Sequence, residues 1–185
     1  MGRHIIINVQ PGDQAIDTAV KRLATKPISK QWKERWAIPL TGIKGVAFDA
    51  EDKVYLVGHG GSGNTAGDLG GMNPTVLAAA VTTPLMNVGQ INLVMCGSGD
   101  PTLSGAKVFK DILEMFGCGA ELYAYPFDLK VNDDGKKYVE FGGVTGLGVG
   151  LGAAGLVRAG EVKREVKLDD PPQVAPPEDD DERIL

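Results

Sequence analysis

The chain is poor in cysteine, in histidine and in aromatic side chains, and it has no long apolar run. Two cysteines in 185 residues make no disulfide framework. The fold must therefore hold by its core, in a reducing compartment, with either thiol available for chemistry. His4, His59, Cys96 and Cys118 are too dispersed for metal-ligand spacing, so no metal is expected. No stretch reaches the roughly 20 strongly apolar residues of a membrane-spanning helix, so action on a membrane is not expected. The first apolar run, Ile5 to Val9, is too short for the core of a signal peptide. The expected location is the cytoplasm, or outside the cell by a route that needs no cleavable signal. Excess positive charge is also missing. The net charge is −5, and residues 169–185 hold seven acids and one base, leaving 17 acids and 18 bases in the rest. A near-neutral body gives no bulk electrostatic case for nucleic acid.

What is present is apolar content of 43%, enough for one globular domain over residues 1–168. Residues 169–185 combine four prolines with the acidic run and read as a disordered tail or linker. Two short runs organise the domain: Val54-Tyr55-Leu56-Val57 before Gly58-His59-Gly60, and Ile91-Asn92-Leu93-Val94-Met95 before Cys96-Gly97. All-apolar runs this short predict strands buried on both faces, as in a parallel α/β sheet. In such sheets the reactive crevice lies beyond the carboxyl ends of the strands. If the two strands are neighbours, His59 and Cys96 emerge side by side there.

The remaining elements follow in order. His4 to Val9 is a β-branched strand. Asp13 caps a helix reaching about Lys26, with Ile16, Ala19, Val20 and Leu23 on one face. Residues 28–36 form a short helix or loop that packs Trp32 and Trp36 on the sheet, and 37–48 form a strand edge plus a loop. Asn73-Pro74 opens a helix that turns Val76, Leu77, Ala80 and Val81 to the sheet and stops at Thr82-Thr83-Pro84. Ser104 starts another, with Val108, Phe109, Ile112, Leu113 and Phe116 apolar. Glu121 to Tyr125 is a strand, 130–139 a hairpin turning at Asp134-Gly135, and 161–168 an edge strand. Residues 142–157 are uncharged and hold seven glycines. That composition favours a compact loop or strand over a water-exposed helix.

Cysteine attacks as the thiolate, and a free thiol with a pKa near 8.5 is only a few per cent ionised at pH 7. An imidazole serves as its base and then protonates the leaving amine. The oxyanion formed needs fixed donors, and the backbone N–H groups of Gly60 and Cys96 are placed for this. Taken singly, Cys96 reads as a strand-end thiol and His59 as a turn residue; the coincidence at two strand ends favours catalysis. Cys118 reads as structural and His4 as packed or solvated. Gly58-His59-Gly60-Gly61-Ser62-Gly63 imitates a dinucleotide loop, but the next helix opens only near Pro74. No P-loop lysine follows, and Cys96-Gly97-Ser98-Gly99-Asp100 lacks the outer glycines of a serine-hydrolase elbow.

An apolar strand ending in His59-Gly60, followed by one ending in Cys96, resembles the caspase-like clan of cysteine peptidases. Leu56 to Gly60, Leu69-Gly70-Gly71-Met72-Asn73-Pro74 and Val94-Met95-Cys96 look closest to the autoprocessing cysteine protease domains of RTX and large clostridial toxins. Phe127 to Lys137 is similar to the segment entering the flap of the RTX-type domains. The likeness covers residues 4–141. It implies a caspase-like three-layer α/β/α sandwich with a mostly parallel central sheet and a C-terminal β-hairpin flap. It implies a His59/Cys96 dyad, cleavage of the own chain or a partner protein after leucine, and a setting in a bacterial toxin or effector. It implies no cofactor for the chemistry but inositol hexakisphosphate as an allosteric activator, contacted by Lys130, Lys136, Lys137, Lys163 and Arg164. Such domains often carry an acid that orients the histidine, and Asp49 is the candidate. The alternative is a catalytically inactive caspase-like binding module associated with a toxin or effector.

Overall fold

A computed structural model describes residues 1–61, 67–96, 105–125, 129–140, 156–158 and 163–168. Five parallel strands and one antiparallel edge strand make the main sheet, in the order β2-β1-β3-β4-β5-β9. These are β1 (His4–Asn8), β2 (Arg35–Pro39), β3 (Lys53–Val57), β4 (Gln90–Val94), β5 (Glu121–Ala124) and β9 (Arg164–Glu165). A second sheet joins β6 (Leu129–Val131), β7 (Lys137–Glu140) and β8 (Leu156–Arg158), all antiparallel. The helices are α1 (Gln14–Thr25), α2 (Pro74–Leu85) and α3 (Gly105–Met115).

The period of two along β1 sorts the core into two layers. Ile5 and Ile7 join Leu77, Val81, Phe109 and Leu113 on the face covered by α2 and α3. Ile6 joins Ile16, Val20 and Leu23 of α1 on the other face, with Tyr125, and Leu129 and Val131 of the second sheet pack there too. Helices on both faces oblige the strands to be apolar on both sides, which is why β1, β3 and β4 read as near-continuous apolar runs.

Local signals place the helix ends. Asp13 Oδ1 accepts from the N–H groups of Ala15 and Ile16 at 2.9 and 3.0 Å, and Asn73 Oδ1 accepts from Thr75 N–H at 2.9 Å. Both caps satisfy donors that a helix N-terminus leaves orphaned. Three expectations are corrected in detail. Val76 is 57% exposed; the buried stripe is Leu77, Ala78, Val81, Thr82 and Leu85, the i, i+4, i+8 row and its neighbours, from which Val76 is rotated away. Pro84 lies inside α2 rather than before its end, and the helix closes one residue later at Leu85, as expected after a residue that cannot donate to the preceding turn. Phe116 is 59% exposed, because α3 has already ended at Met115. The expected edge strand appears as β9 and the expected hairpin as β6–β7. The tail 169–185 and residues 142–155 lie outside the described residues.

The strand order carries a consequence. The chain steps from β1 outward to β2 and then back across to β3. The crossovers on the two sides run over opposite faces, so the carboxyl ends of β1 and β3 form the topological switch point of an open sheet.

Candidate functional site

The sequence-predicted residues follow the carboxyl ends of neighbouring strands. Val57 of β3 stands opposite Val94 of β4, and Gly58 N–H donates to the Val94 carbonyl at 3.3 Å. Continuing the register puts His59 opposite Cys96. The two main chains touch just beyond: a Cβ added to Gly60 would overlap the carbonyl oxygen of Cys96. Gly60→Ala is therefore expected to push the two strand ends apart. Its cost is read as a lower melting temperature together with slower alkylation of Cys96 by iodoacetamide; a variant unchanged in both means that the ends are not so closely apposed.

His59 is about half-exposed, and its Nε2 lies 3.2 Å from Asp13 Oδ2. A carboxylate only accepts, so Nε2 carries the proton of this bond and Nδ1 is the ring atom available for proton exchange. The Asp13 carboxyl is held below its usual range, first by the Ile16 N–H and then by His59. One side chain thus does two tasks. Oδ1 caps α1 while Oδ2 orients the imidazole. The main chain of His59 is held as well, since its backbone N–H donates to Gln10 Oε1 at 2.6 Å.

Asp49, the acid expected to orient His59, sits elsewhere. It precedes β3, at the amino end of a strand whose carboxyl end carries His59. There it lies 3.6 Å from Arg3, beside the buried Asp52, which accepts from Arg3 Nε at 2.9 Å. A five-residue strand spans about 16 Å, so Asp49 is out of reach. Asp13 was visible in the sequence only as a cap. Its second task depends on β1 being the neighbour of β3, which no local signal encodes.

Cys96 is partly buried, and the flap covers it. Leu129 N–H donates to Sγ at 3.3 Å, and the Leu129 carbonyl lies 3.7 Å from the same sulfur. The start of β6 thus rests on the Cys96 sulfur. Cys118 is fully buried, with its thiol directed at the Leu85 carbonyl at 3.3 Å, as its structural reading expected. Among the described residues no group of acids, histidines and cysteines is arranged to hold a metal.

The chain matches no protein-family model and no curated protein. What the site can do is read from its own geometry.

The second chemical feature lies on the α1 side of the sheet. Lys26, Arg35, Tyr55 and Lys137 line a cavity there, and Lys53 and Lys163 act on it electrostatically. Lys137 Nζ donates to Tyr125 Oη at 2.6 Å and lies 4.8 and 5.0 Å from the ring centres of Tyr55 and Tyr125. Burial first, and then Lys163, Lys26, Lys53 and Arg35, push the Lys137 ammonium down to about 7. His4 adjoins the cluster. Its Nδ1 accepts from Arg35 Nη2 at 2.6 Å, and burial followed by the charge of Arg35 pushes it down to about 3. His4 is therefore neutral, and its buried Nε2 has no hydrogen-bond partner among the described residues.

Of the five cations expected to contact an inositol phosphate, Lys137 and Lys163 belong to this cluster. Lys136, in the turn before β7, is exposed and pairs with Asp134 at 3.6 Å. Lys130 is exposed, between the inward Leu129 and Val131. The Arg164 side chain lies outside the described residues. Lys26, Arg35 and Lys53 replace them. They come from three separate elements, so no run of basic residues announced them.

Proposed function

We propose that this chain is a cysteine endopeptidase acting on its own chain or on a partner protein. What supports the reading is that β3 and β4 are parallel neighbours in register at Val57 and Val94, each two residues before His59 and Cys96, with Asp13 bound to the imidazole. In the proposed reaction the Cys96 thiol passes its proton to His59 Nδ1 and the thiolate attacks the scissile carbonyl carbon. The N–H groups of Gly60 and Cys96 hold the oxyanion. The imidazolium returns the proton to the leaving amine, and His59 then activates the water that hydrolyses the thioester. Asp13 stays ionised and holds the ring in one tautomer. The motif resemblance adds cleavage after leucine, a caspase-like architecture and a toxin or effector setting. No cofactor enters the chemistry. An anionic activator of the inositol hexakisphosphate kind is supported by the cluster of Lys26, Arg35, Lys53, Lys137 and Lys163 behind the flap.

A second reading, the inactive binding module, is favoured by one contact: Leu129 on the Cys96 sulfur. A peptidyl chloromethyl ketone ending in leucine separates the two, because only an activated thiolate reacts quickly with it. The expected result is stoichiometric labelling of Cys96 that His59→Ala slows by about 100-fold, the size of a lost general base. Labelling no faster than that of a free thiol, with or without inositol hexakisphosphate, leaves the binding module standing.

A further inference from the structure

We infer that Gln10 is a positioning residue for the general base, and that its carboxamide locks the His59 main chain in register with Cys96. The inference rests on the dyad reading above and names a residue that this reading does not require. One hydrogen bond and the close approach of two glycines place Gln10. Its Oε1 accepts from His59 N–H at 2.6 Å. A Cβ on Gly58 would lie 3.2 Å from that same oxygen, and one on Gly71 would lie 2.9 Å from its Nε2. The carboxamide is therefore wedged between the two ends of the loop that links β3 to α2, and glycine at both positions makes the room. Gly71 also has φ +68°, which a side chain there would strain. The wedge is itself fixed from below: Gln10 N–H donates to Asn8 Oδ1 at 3.0 Å, and Asn8 Nδ2 donates to Asp17 Oδ1 at 2.6 Å.

The chemical consequence lies in the division of labour along one turn. Residues 10–13 hold His59 twice, Gln10 by its main chain and Asp13 by its ring. Asp13 fixes where Nε2 points and Gly70 N–H holds the His59 carbonyl at 2.8 Å, which leaves the His59 N–H for Gln10 to hold. With Gln10 in place both ends are pinned, and Nδ1 has one direction to face. Proton transfer needs heavy atoms within hydrogen-bond reach, and a displacement of about 1 Å costs on the order of 100-fold.

The test compares Gln10→Met, which keeps the volume and loses the acceptor, with Gln10→Glu, which keeps the acceptor and adds a charge. The readout is the pH dependence of Cys96 alkylation by iodoacetamide, followed by peptide mass, beside the melting temperature. The wild type is expected to show an alkylation plateau below the pH at which a simple thiol ionises. Gln10→Met is expected to lose about tenfold in rate at pH 7, the worth of one hydrogen bond to an aligned group, and to revert toward the profile of a simple thiol. Gln10→Glu is expected to restore the rate and to move the alkaline inflection, where the imidazolium is lost, to higher pH, because a nearby carboxylate favours the cation. A merely structural Gln10 would lower the melting temperature of Gln10→Met without altering the profile. A Gln10→Met profile like that of the wild type, while His59→Ala changes it, overturns the inference and spares the dyad. A His59→Ala profile identical to that of the wild type overturns the dyad and the inference together. Should Gln10→Met fail to fold, an unmoved alkaline inflection in Gln10→Glu overturns the inference by itself.

Discussion

Cys96→Ala is expected to abolish self-cleavage while leaving the fold intact. Purified wild-type protein, incubated with inositol hexakisphosphate and followed by intact mass, should accumulate fragments ending in leucine, and the variant should remain whole. The effect is all-or-none because alanine offers no nucleophile, and the aligned His59 and amide donors alone have nothing to add to the carbonyl carbon. The fold should tolerate the change. Cys96 is only partly buried, so removing its sulfur opens no sealed cavity, and what is lost is the acceptor for Leu129 N–H. Cys96→Ser keeps an acceptor there and should melt closer to the wild type, yet be equally uncleaved. Cys118→Ala supplies the contrast. Its thiol is fully buried, so it should lower the melting temperature through a small cavity and leave cleavage in place. Fragments of wild-type size and rate from Cys96→Ala would end the peptidase reading.

Lys137→Met is expected to raise stability near neutral pH and to remove most of the response to polyphosphate. The sign follows from proton linkage. The folded Lys137 ammonium is pushed down to about 7 from the ordinary 10.5. Below pH 7 both folded and unfolded chains hold the proton, and the cost of burying the cation is fully present. Between about 7 and 10.5 the unfolded chain still holds a proton that the folded chain has lost, so stability rises with pH across that window. Methionine removes the cost. The gain should be on the order of 1–3 kcal/mol at pH 6–7 and fade toward pH 10, where the wild-type lysine is neutral in both states. The groups facing Lys137 are Lys26 after α1, Arg35 on β2, Lys53 and Tyr55 on β3, Tyr125 after β5 and Lys163 before β9. Glu121 acts on Lys53 and Lys163. A polyanion seated among these cations relieves their repulsion and favours the charged ammonium. Inositol hexakisphosphate should therefore raise the melting temperature of the wild type more at pH 6.5 than at pH 9, and that of Lys137→Met much less at both. Parallel melting curves for the two proteins across pH would refute the account.

The two features are joined through one hairpin. Leu129 rests on the Cys96 sulfur, and Lys137 sits in the cation cluster. Val131 pairs directly with Lys137 across β6 and β7, and its carbonyl accepts from Arg22 of α1 at 2.8 Å. A ligand that moves β7 must carry β6 with it, because the strands share their hydrogen bonds.

Much of the molecule was legible one segment at a time. The β-branched run at 4–9, the Asp13 and Asn73 caps, the apolar runs before His59 and Cys96 and the Asp134-Gly135 turn are local signals. Each fixes a strand, a helix end or a turn within a few residues. Two strands that end in chemistry also pointed to the reactive edge without knowledge of the fold, since the crevice of an α/β sheet lies there whichever strands are present. Asp49, the candidate for the orienting acid that the resemblance implies, lies at the other end of β3, and the acid that meets the imidazole, Asp13, lies 46 residues from His59.

The sequence by itself determined the elements, the parallel α/β class and the two residues at the strand ends, because backbone preference and apolar periodicity act over a few residues. Only the tertiary structure decided which strands are neighbours, and with that the His59–Asp13 contact, the Gln10 wedge, the Leu129 cover and the gathering of five cations from separate elements. The physical reason is that strand order is set by how whole layers bury their faces together, and no short stretch of chain carries that information.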